Sequence, residues 1–310
     1  MARGTNEGVE GLRDRLQYRL WQLVTAVVRR LPPWAGYAIA GIIGTVGYYL
    51  WPRGRRAMLR NYRRVLRGAP AREVRRTARR SLVNYCRYLA DFVRFPSLSR
   101  QQLVAAVNGD ESFAALDRAL EHGKGAIIVC MHFGNWDLGA GAAAARGYPV
   151  TVVAETFPDP RLDEMVAGAR ERLGMSIVKM EKAGPSLLRA LKHNGLLALL
   201  IDRSVPGDGV RVEFFGEQVE VPAGPARIAL RSGATVIPAA FARRDPKGMA
   251  VRTLTDFGIT YEPSGDETRD VRELTQAIMR SHERFIREHP EQWYMFREMW
   301  PARAKAAASP

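Results

Sequence analysis

The chain has 310 residues, of which 46% are hydrophobic. That is enough for one large domain or a domain with an appended element, and it excludes a disordered chain apart from its ends. Two cysteines, Cys86 and Cys130, exclude a disulfide scaffold and a zinc-finger spacing, and they fit a reducing, cytoplasm-facing setting. Lys and Arg number 47 against 32 Asp and Glu, a net charge of +15, which narrows the partners to nucleic acid, anionic lipid headgroups or phosphorylated substrates.

In chain order, Leu12, Leu16, Leu20, Leu23 and Val27 recur at helical spacing, while Arg13, Arg15 and Arg19 occupy other faces. This predicts an amphipathic helix, lying on a membrane or packed on the core. No cleavable signal precedes it. The run from Trp34 to Trp51 carries no charge and has a tryptophan at each end. It sits near the lower limit of roughly 17 to 25 residues for a spanning helix, and Gly36, Gly41, Gly44 and Gly47 dilute it. A helix or helical hairpin dipping into one leaflet is favoured, and a single span stays open. Between Arg53 and Arg80, twelve arginines (Arg53, Arg55, Arg56, Arg60, Arg63, Arg64, Arg67, Arg72, Arg75, Arg76, Arg79, Arg80) meet one acid, Glu73. Beside an apolar run, each would be drawn to anionic lipid by roughly 1 kcal/mol. Residues 1–71 are therefore expected to form a basic, membrane-associating helical region, residues 72–300 a globular domain, and residues 301–310 a disordered tail.

From residue 72 the pattern turns globular. Helices are predicted over 72–93, stopped by Pro96, and over 111–121, closed by Gly123. Strands at 126–131, 150–155, 177–180 and 196–202 then alternate with helices at 136–146, 161–173 and 185–193. A strand at 210–215, a helix at 223–231, strands at 235–243 and 249–254 and a helix at 268–288 complete the chain. This alternation predicts an α/β fold with a mostly parallel central sheet flanked by helices.

His132, Gly134 and Asp137 fall where the strand at 126–131 should end, the place where such folds put their chemistry. Imidazole can take a proton from a hydroxyl near neutral pH, and a carboxylate can orient it. On one regular helix the step from His132 to Asp137 would turn about 500° and separate them. They can meet only if His132 precedes the helix, with Gly134 allowing the bend and Asn135 as N-cap. The other histidines, His122, His193, His282 and His289, are scattered without ligand spacing, so no metal is expected and most should be solvated. There is no GxSxG elbow.

HFGNWD at 132–137, AETF at 154–157, ARERLG at 169–174, LLIDR at 199–203, VEFFGEQVEVPAGPARIALRSGA at 212–234 and HPEQWYMF at 289–296 occur in register. In that order they resemble the bacterial lipid A biosynthesis acyltransferase and phosphatidylinositol mannoside acyltransferase family, among the HxxxxD glycerolipid acyltransferases, from about residue 17 to 300. The resemblance implies transfer of a fatty acyl chain from a thioester, acyl-CoA or acyl carrier protein, to a hydroxyl of a membrane lipid, with no cofactor beyond that donor. His132 would be the general base. In the mannoside enzymes the position of Asp202 is a glutamate paired with the catalytic histidine. Asp202, one methylene shorter, is thus the expected orienting acid, and Asp137 a motif acid fixing the loop or the acceptor, with a purely structural role equally open. Glu155 and Arg170 would line the donor or acceptor site, Asn135 would bind substrate, and Arg203 would meet a phosphate or an acyl carbonyl.

The apolar strands would also build a tunnel for the acyl chain, at about 0.8 kcal/mol per buried methylene. Asn135-Trp136 and the VEFFGE block lean toward a mannoside glycolipid as acceptor. A lipid A precursor or lysophospholipid acceptor, or an acyl thioesterase, are the alternatives. Nucleic acid is not expected, because no helix-turn-helix or RNA-binding block is present. The expected location is the cytoplasmic face of the cell membrane, peripheral or monotopic, against anionic lipids.

Overall fold

The computed structural model describes residues 18–19, 22–108, 110–157, 159–180, 183–203 and 207–300. The expected tail at 301–310 and the leucines at 12, 16 and 20 lie outside them. Short apolar runs bounded by glycine or by polar turns form the strands. These are β1 Val107–Asn108, β2 Ala126–Cys130, β3 Val150–Ala154, β4 Ser176–Lys179, β5 Leu196–Leu200, β6 Gly209–Phe214, β7 Glu217–Pro222, β8 Thr235–Arg243 and β9 Val251–Thr255. Seven of them make one sheet in the order β1-β9-β8-β2-β5-β3-β4. The pairs of β2 with β5 and β8, and of β3 with β4 and β5, are parallel, while β9 runs antiparallel to β8.

Alternate residues of the central strands feed two cores. Ile127, Val129, Leu197 and Leu199 face one side, and Ala126, Cys130 and Leu196 the other. A parallel sheet buried on both faces gives such strands their unbroken hydrophobicity. From Pro33 onward the helices are α1 Pro33–Leu50, α2 Pro52–Val65, α3 Ala71–Arg94, α4 Arg100–Ala106, α5 Asp110–Leu120, α6 Trp136–Ala145, α7 Pro160–Glu171, α8 Ala183–Lys192, α9 Gly224–Ser232 and α10 Glu267–Glu288. α10 contributes Leu274 and Ile278 to the first core, and α6 covers the second with Leu138 and Ala142.

The strand expected at 210–215 is not part of the central sheet. It is β6 of an antiparallel hairpin with β7. Phe215 and Gly216 at its tip both have positive φ, 52° and 76°, the two-residue turn whose twist suits a hairpin. Gln276 of α10 ties the hairpin down by accepting from the Glu213 amide at 2.7 Å and donating to its carbonyl at 2.9 Å.

α1 lies along α3, so close at Gly44 that a Cβ there would stand 2.6 Å from the Val83 Cα. Its inner face is Gly36, Tyr37, Ala40, Gly44 and Tyr48. Its outer face exposes Ile39, Ile42, Ile43, Val46 and Leu50, with Trp34 and Trp51 at the ends. Among the described residues no helix is long and apolar enough to cross a membrane. Pro52 starts the arginine-rich α2 as a separate helix, and Met58 and Tyr62 on it are buried in the same core as the sheet. α2 packs on the α/β body: Tyr62 donates to the Trp293 carbonyl, and Asn61 to the carbonyls of Met295 and Arg297.

Candidate active site

β2 and β5 are neighbours in register, Cys130 beside Leu200, so the residues two positions beyond each strand end, His132 and Asp202, emerge side by side. The His132 Nδ1 is 2.7 Å from Asp202 Oδ1, and the His132 amide donates to Oδ2 at 3.0 Å. The indole Nε1–H of Trp293 donates to the same Oδ2 at 3.1 Å. The Asp202 side chain is fully buried, whereas that of His132 keeps 11% of its exposure. Burial pushes the Asp202 carboxyl up, but the His132 charge and hydrogen bonds, with the Arg203 charge, outweigh burial and hold it below the ordinary carboxylate value. A carboxylate accepts only, so Nδ1 carries a proton, and in the neutral ring Nε2 is then the nitrogen with the lone pair. That is the tautomer a general base needs.

The turn that presents His132 depends on Gly134. Its φ is +58°, and a Cβ would lie 1.9 Å from the Phe241 carbonyl oxygen. Only a residue without a side chain lets the loop approach β8 so closely, with the Asn135 amide donating to that carbonyl at 2.9 Å. On the other side the Gly134 amide donates to the Gln292 carbonyl at 2.9 Å, and the Tyr294 amide to the His132 carbonyl at 2.7 Å. The Gln292 side chain accepts from the Arg243 amide and donates to the Arg243 carbonyl, locking this segment to the end of β8. Ser81 of α3 donates to the Trp293 carbonyl at 2.7 Å, and Asn61 of α2 to the carbonyls of Met295 and Arg297. The HPEQWYMF block is thus a strap over the loop that carries His132, and Trp293 and Tyr294 are core residues.

Asp137 does follow the turn, in the first turn of α6, but it points away from His132. It accepts from Tyr88 at 2.7 Å and from Arg170 through Nε at 2.7 Å and Nη2 at 3.2 Å. Burial alone would lower the Arg170 pKa, yet Asp137 raises it, so the guanidinium is charged throughout. Asn135 is completely buried and caps α6: its oxygen accepts from the Leu138 amide at 3.1 Å, and its amide donates to Asp91 at 2.9 Å. Both ends of that side chain are engaged within the protein, which leaves it holding the loop rather than facing substrate. Asp91 also accepts from Tyr37 at 2.6 Å and pairs with Arg243. Arg203 is half-buried beside Asp202, and Glu155 stands exposed beyond β3, outside both buried clusters.

Sequence reasoning missed Asp91, Arg243, Tyr88 and the polar role of Trp293. Asp91 alone left a trace, a single acid among the apolar residues in the last turns of α3. Of the other histidines, His122 and His193 are exposed and His289 is half-buried, and the exception is His282 on α10, which is fully buried. Burial pulls its pKa down to about 4, so it is neutral. Among the described residues no three His, Cys, Asp or Glu are grouped to hold a metal.

An apolar slot runs between α6 and the sheet face that carries Ile128, Cys130, Ala198 and Leu200. Gly139 leaves room on the helix for the Phe241 ring, which is part of the wall. The ring of Trp136 forms part of the wall, 5.3 Å from the His132 ring centre to centre and stacked on Tyr88.

A family model described as bacterial lipid A biosynthesis acyltransferase matches residues 12–301. The phosphatidylinositol mannoside acyltransferase of Mycolicibacterium smegmatis is 30% identical over 292 residues, covering 91% of this chain and 89% of the relative. A protein of the same name from Mycobacterium tuberculosis is 30% identical over 284 residues, covering 89% of this chain and 85% of the relative. With matches that run through both strand ends and the strap that joins them, the chain belongs to the bacterial lipid A biosynthesis acyltransferase family.

Proposed function

We propose that this acyltransferase moves a fatty acyl chain from a thioester donor, acyl-CoA or acyl carrier protein, to a hydroxyl of a membrane glycolipid, with His132 as general base. The observation that carries the reading is the His132–Asp202 pair, with Nδ1 engaged by the carboxylate, beside an apolar slot. The Nε2 lone pair takes the hydroxyl proton as the oxygen attacks the thioester carbonyl. The thiolate then leaves and the imidazolium returns a proton to it, while Asp202 stabilises the cation in between. A thioester is already activated, so no enzyme nucleophile is needed. The buried thiol of Cys130, pushed up to about 12 by burial, is no candidate for one. The slot would hold the acyl chain, and Arg203 would meet a phosphate or the acyl carbonyl.

The relatives' names favour a phosphatidylinositol mannoside as acceptor, and the family name makes a lipid A precursor the second choice. The exposed stripe Ile39, Ile42, Ile43 and Val46, with Trp34 and Trp51 at its ends, would lie in one leaflet of an anionic membrane. The test supplies palmitoyl-CoA with and without a mannosylated phosphatidylinositol, and follows both free thiol and acylated lipid. Acceptor-dependent thiol release with a matching product, lost in His132→Ala, supports the reading. Equal release without acceptor makes the protein a thioesterase, and full turnover by the variant removes His132 as the base. Flotation with phosphatidylinositol-containing vesicles, reduced by Ile42→Glu with Ile43→Glu, tests the membrane face.

A further inference from the structure

The guanidinium of Arg243, at the end of β8, is only partly used. Its Nη1 donates to the Gly248 carbonyl and its Nη2 to Asp91 Oδ2, while Nε is buried and has no hydrogen-bond partner among the described residues. Nε and Nη2 form the side-on edge that a carboxylate can take with both oxygens, as Asp137 does on Arg170. Asp91 takes only the Nη2 side of that edge on Arg243. Its second oxygen is held elsewhere.

Tyr37 holds it. This residue lies on the inner face of α1, and its hydroxyl donates to Asp91 Oδ1 at 2.6 Å. α1 comes so near because Gly36 lets it settle on the end of α3, where a Cβ would stand 2.7 Å from Arg94 Nη2. Asp91 Oδ2 is thereby left to accept from the Asn135 amide at 2.9 Å, and Asn135 in turn caps α6 and shapes the turn that presents His132. Take the hydroxyl away, and a buried carboxylate oxygen and a buried Nε–H both lack a partner and gain by meeting. Turning the carboxylate to join them draws Oδ2 off the Asn135 amide.

We propose that Tyr37 is a positioning residue for the acyl transfer. Its hydroxyl keeps Asp91 from closing on Arg243, so that one carboxylate oxygen remains for Asn135 and the turn before α6 keeps its shape. The same bond ties α1, the helix with the exposed apolar stripe, to the turn that carries the imidazole. The inference rests on reading His132 as the base and adds the contact through which α1 sets its stance. Tyr48 supplies the comparison: it is buried on the same face of α1, and its hydroxyl has no hydrogen-bond partner among the described residues. The two tyrosines differ in what the hydroxyl holds, not in how the ring packs α1 against the body.

The experiment compares the full-length parent with Tyr37→Phe and Tyr48→Phe, each of which keeps its ring and loses one hydroxyl. Palmitoyl-CoA and a mannosylated phosphatidylinositol are the substrates, and amide hydrogen exchange over residues 135–139 is followed alongside. Tyr37→Phe is expected to lower kcat about tenfold with KM for both substrates unchanged, the effect of a base displaced by a fraction of an ångström. It should also speed exchange at Leu138, whose amide donates to the Asn135 cap. Tyr48→Phe should match the parent in both measurements. A parent-like kcat in Tyr37→Phe, a loss confined to KM, equal losses in the two variants, or a lower kcat with parent-like exchange at Leu138 each overturns the proposal and leaves the acyltransfer reading standing. So does exchange raised across every helix of Tyr37→Phe, which would make the hydroxyl a support of the whole fold. A parent protein that transfers no palmitoyl group to the acceptor defeats the acyltransfer reading instead, and this inference with it.

Discussion

Asp202→Asn is the sharpest test of the site, because the three bonds to this carboxylate are distributed unequally. Oδ2 accepts from two fixed donors, the His132 amide at 3.0 Å and the Trp293 indole at 3.1 Å, whereas Oδ1 meets only the His132 ring at 2.7 Å. An asparagine must place its oxygen where the two fixed donors converge, since the reverse orientation sets an NH₂ against both. Its NH₂ then faces Nδ1, and the imidazole responds by moving its proton to Nε2. The lone pair proposed to act as the base is lost although every hydrogen bond is kept. Where a triad histidine is forced into the wrong tautomer in this way, kcat falls about 10⁴-fold, and a loss of 10³- to 10⁴-fold, about 4 to 5.5 kcal/mol in barrier, is expected here. The assay is initial-rate thiol release with acceptor present, alongside thermal unfolding, which should shift little because no bond is broken. A variant within tenfold of the parent would refute the assignment of Nε2 as base.

Other consequences follow from the same neighbourhood. Arg170→Ala leaves the Asp137 carboxylate buried with Tyr88 alone, and removing one partner of such a pair costs about 3 to 5 kcal/mol, so a large fall in unfolding temperature is expected and an unchanged one would contradict the geometry. Gly134→Ala sets a methyl 1.9 Å from the Phe241 oxygen, and the loop must move; a displacement of about 1 Å is worth roughly a hundredfold in rate, read as a kcat loss larger than any change in KM. His282 is held neutral by burial, its pKa pulled from 6.5 to about 4. The unfolded chain takes up this proton below about pH 6.5 and the folded chain only near pH 4, so its stabilisation is complete above the first value and falls by about 3 kcal/mol on acidification through that window. Denaturant titrations from neutral to acidic pH should show this extra slope in the parent and not in His282→Gln, and equal slopes would place the acid sensitivity elsewhere.

The sequence made local features readable and left long-range ones hidden. β2 and β5 could be placed because unbroken apolar runs begin after Gly125 and Gly195, and the helix after His132 because Asn135 and Gly134 supply a cap and a bend. The partnership of His132 with Asp202 was legible only through resemblance, since strand order, not spacing, brings them together across 70 positions. The Arg243–Asp91 contact spans 152 positions and left no periodic signal. The hairpin was misread for a related reason: Val210 to Phe215 alternates as any half-buried strand would, and nothing within that run distinguishes a partner in the sheet from one three residues away. In α2 the arginines are conspicuous in the sequence, while the residues that pack it, Met58, Asn61 and Tyr62, are not.

The motif HxxxxD therefore joins two residues whose physical work is separate. His132 lies before α6 and turns to an acid from the neighbouring strand. Asp137 lies inside α6 and turns to Arg170 on α7 and Tyr88 on α3. What links them is the Gly134–Asn135 turn, pinned by Phe241 and Gln292 on its backbone and by Asp91 through the Asn135 amide. Asp137 fixes where α6 starts, Asn135 fixes how the turn enters it, and together they determine where the imidazole can stand. A conservative Asp137→Asn should thus act on the placement of His132 rather than on its protonation. It should lower kcat without altering the pH at which half the activity is lost, whereas a shift in that midpoint would mean that Asp137 is electrically coupled to the base after all.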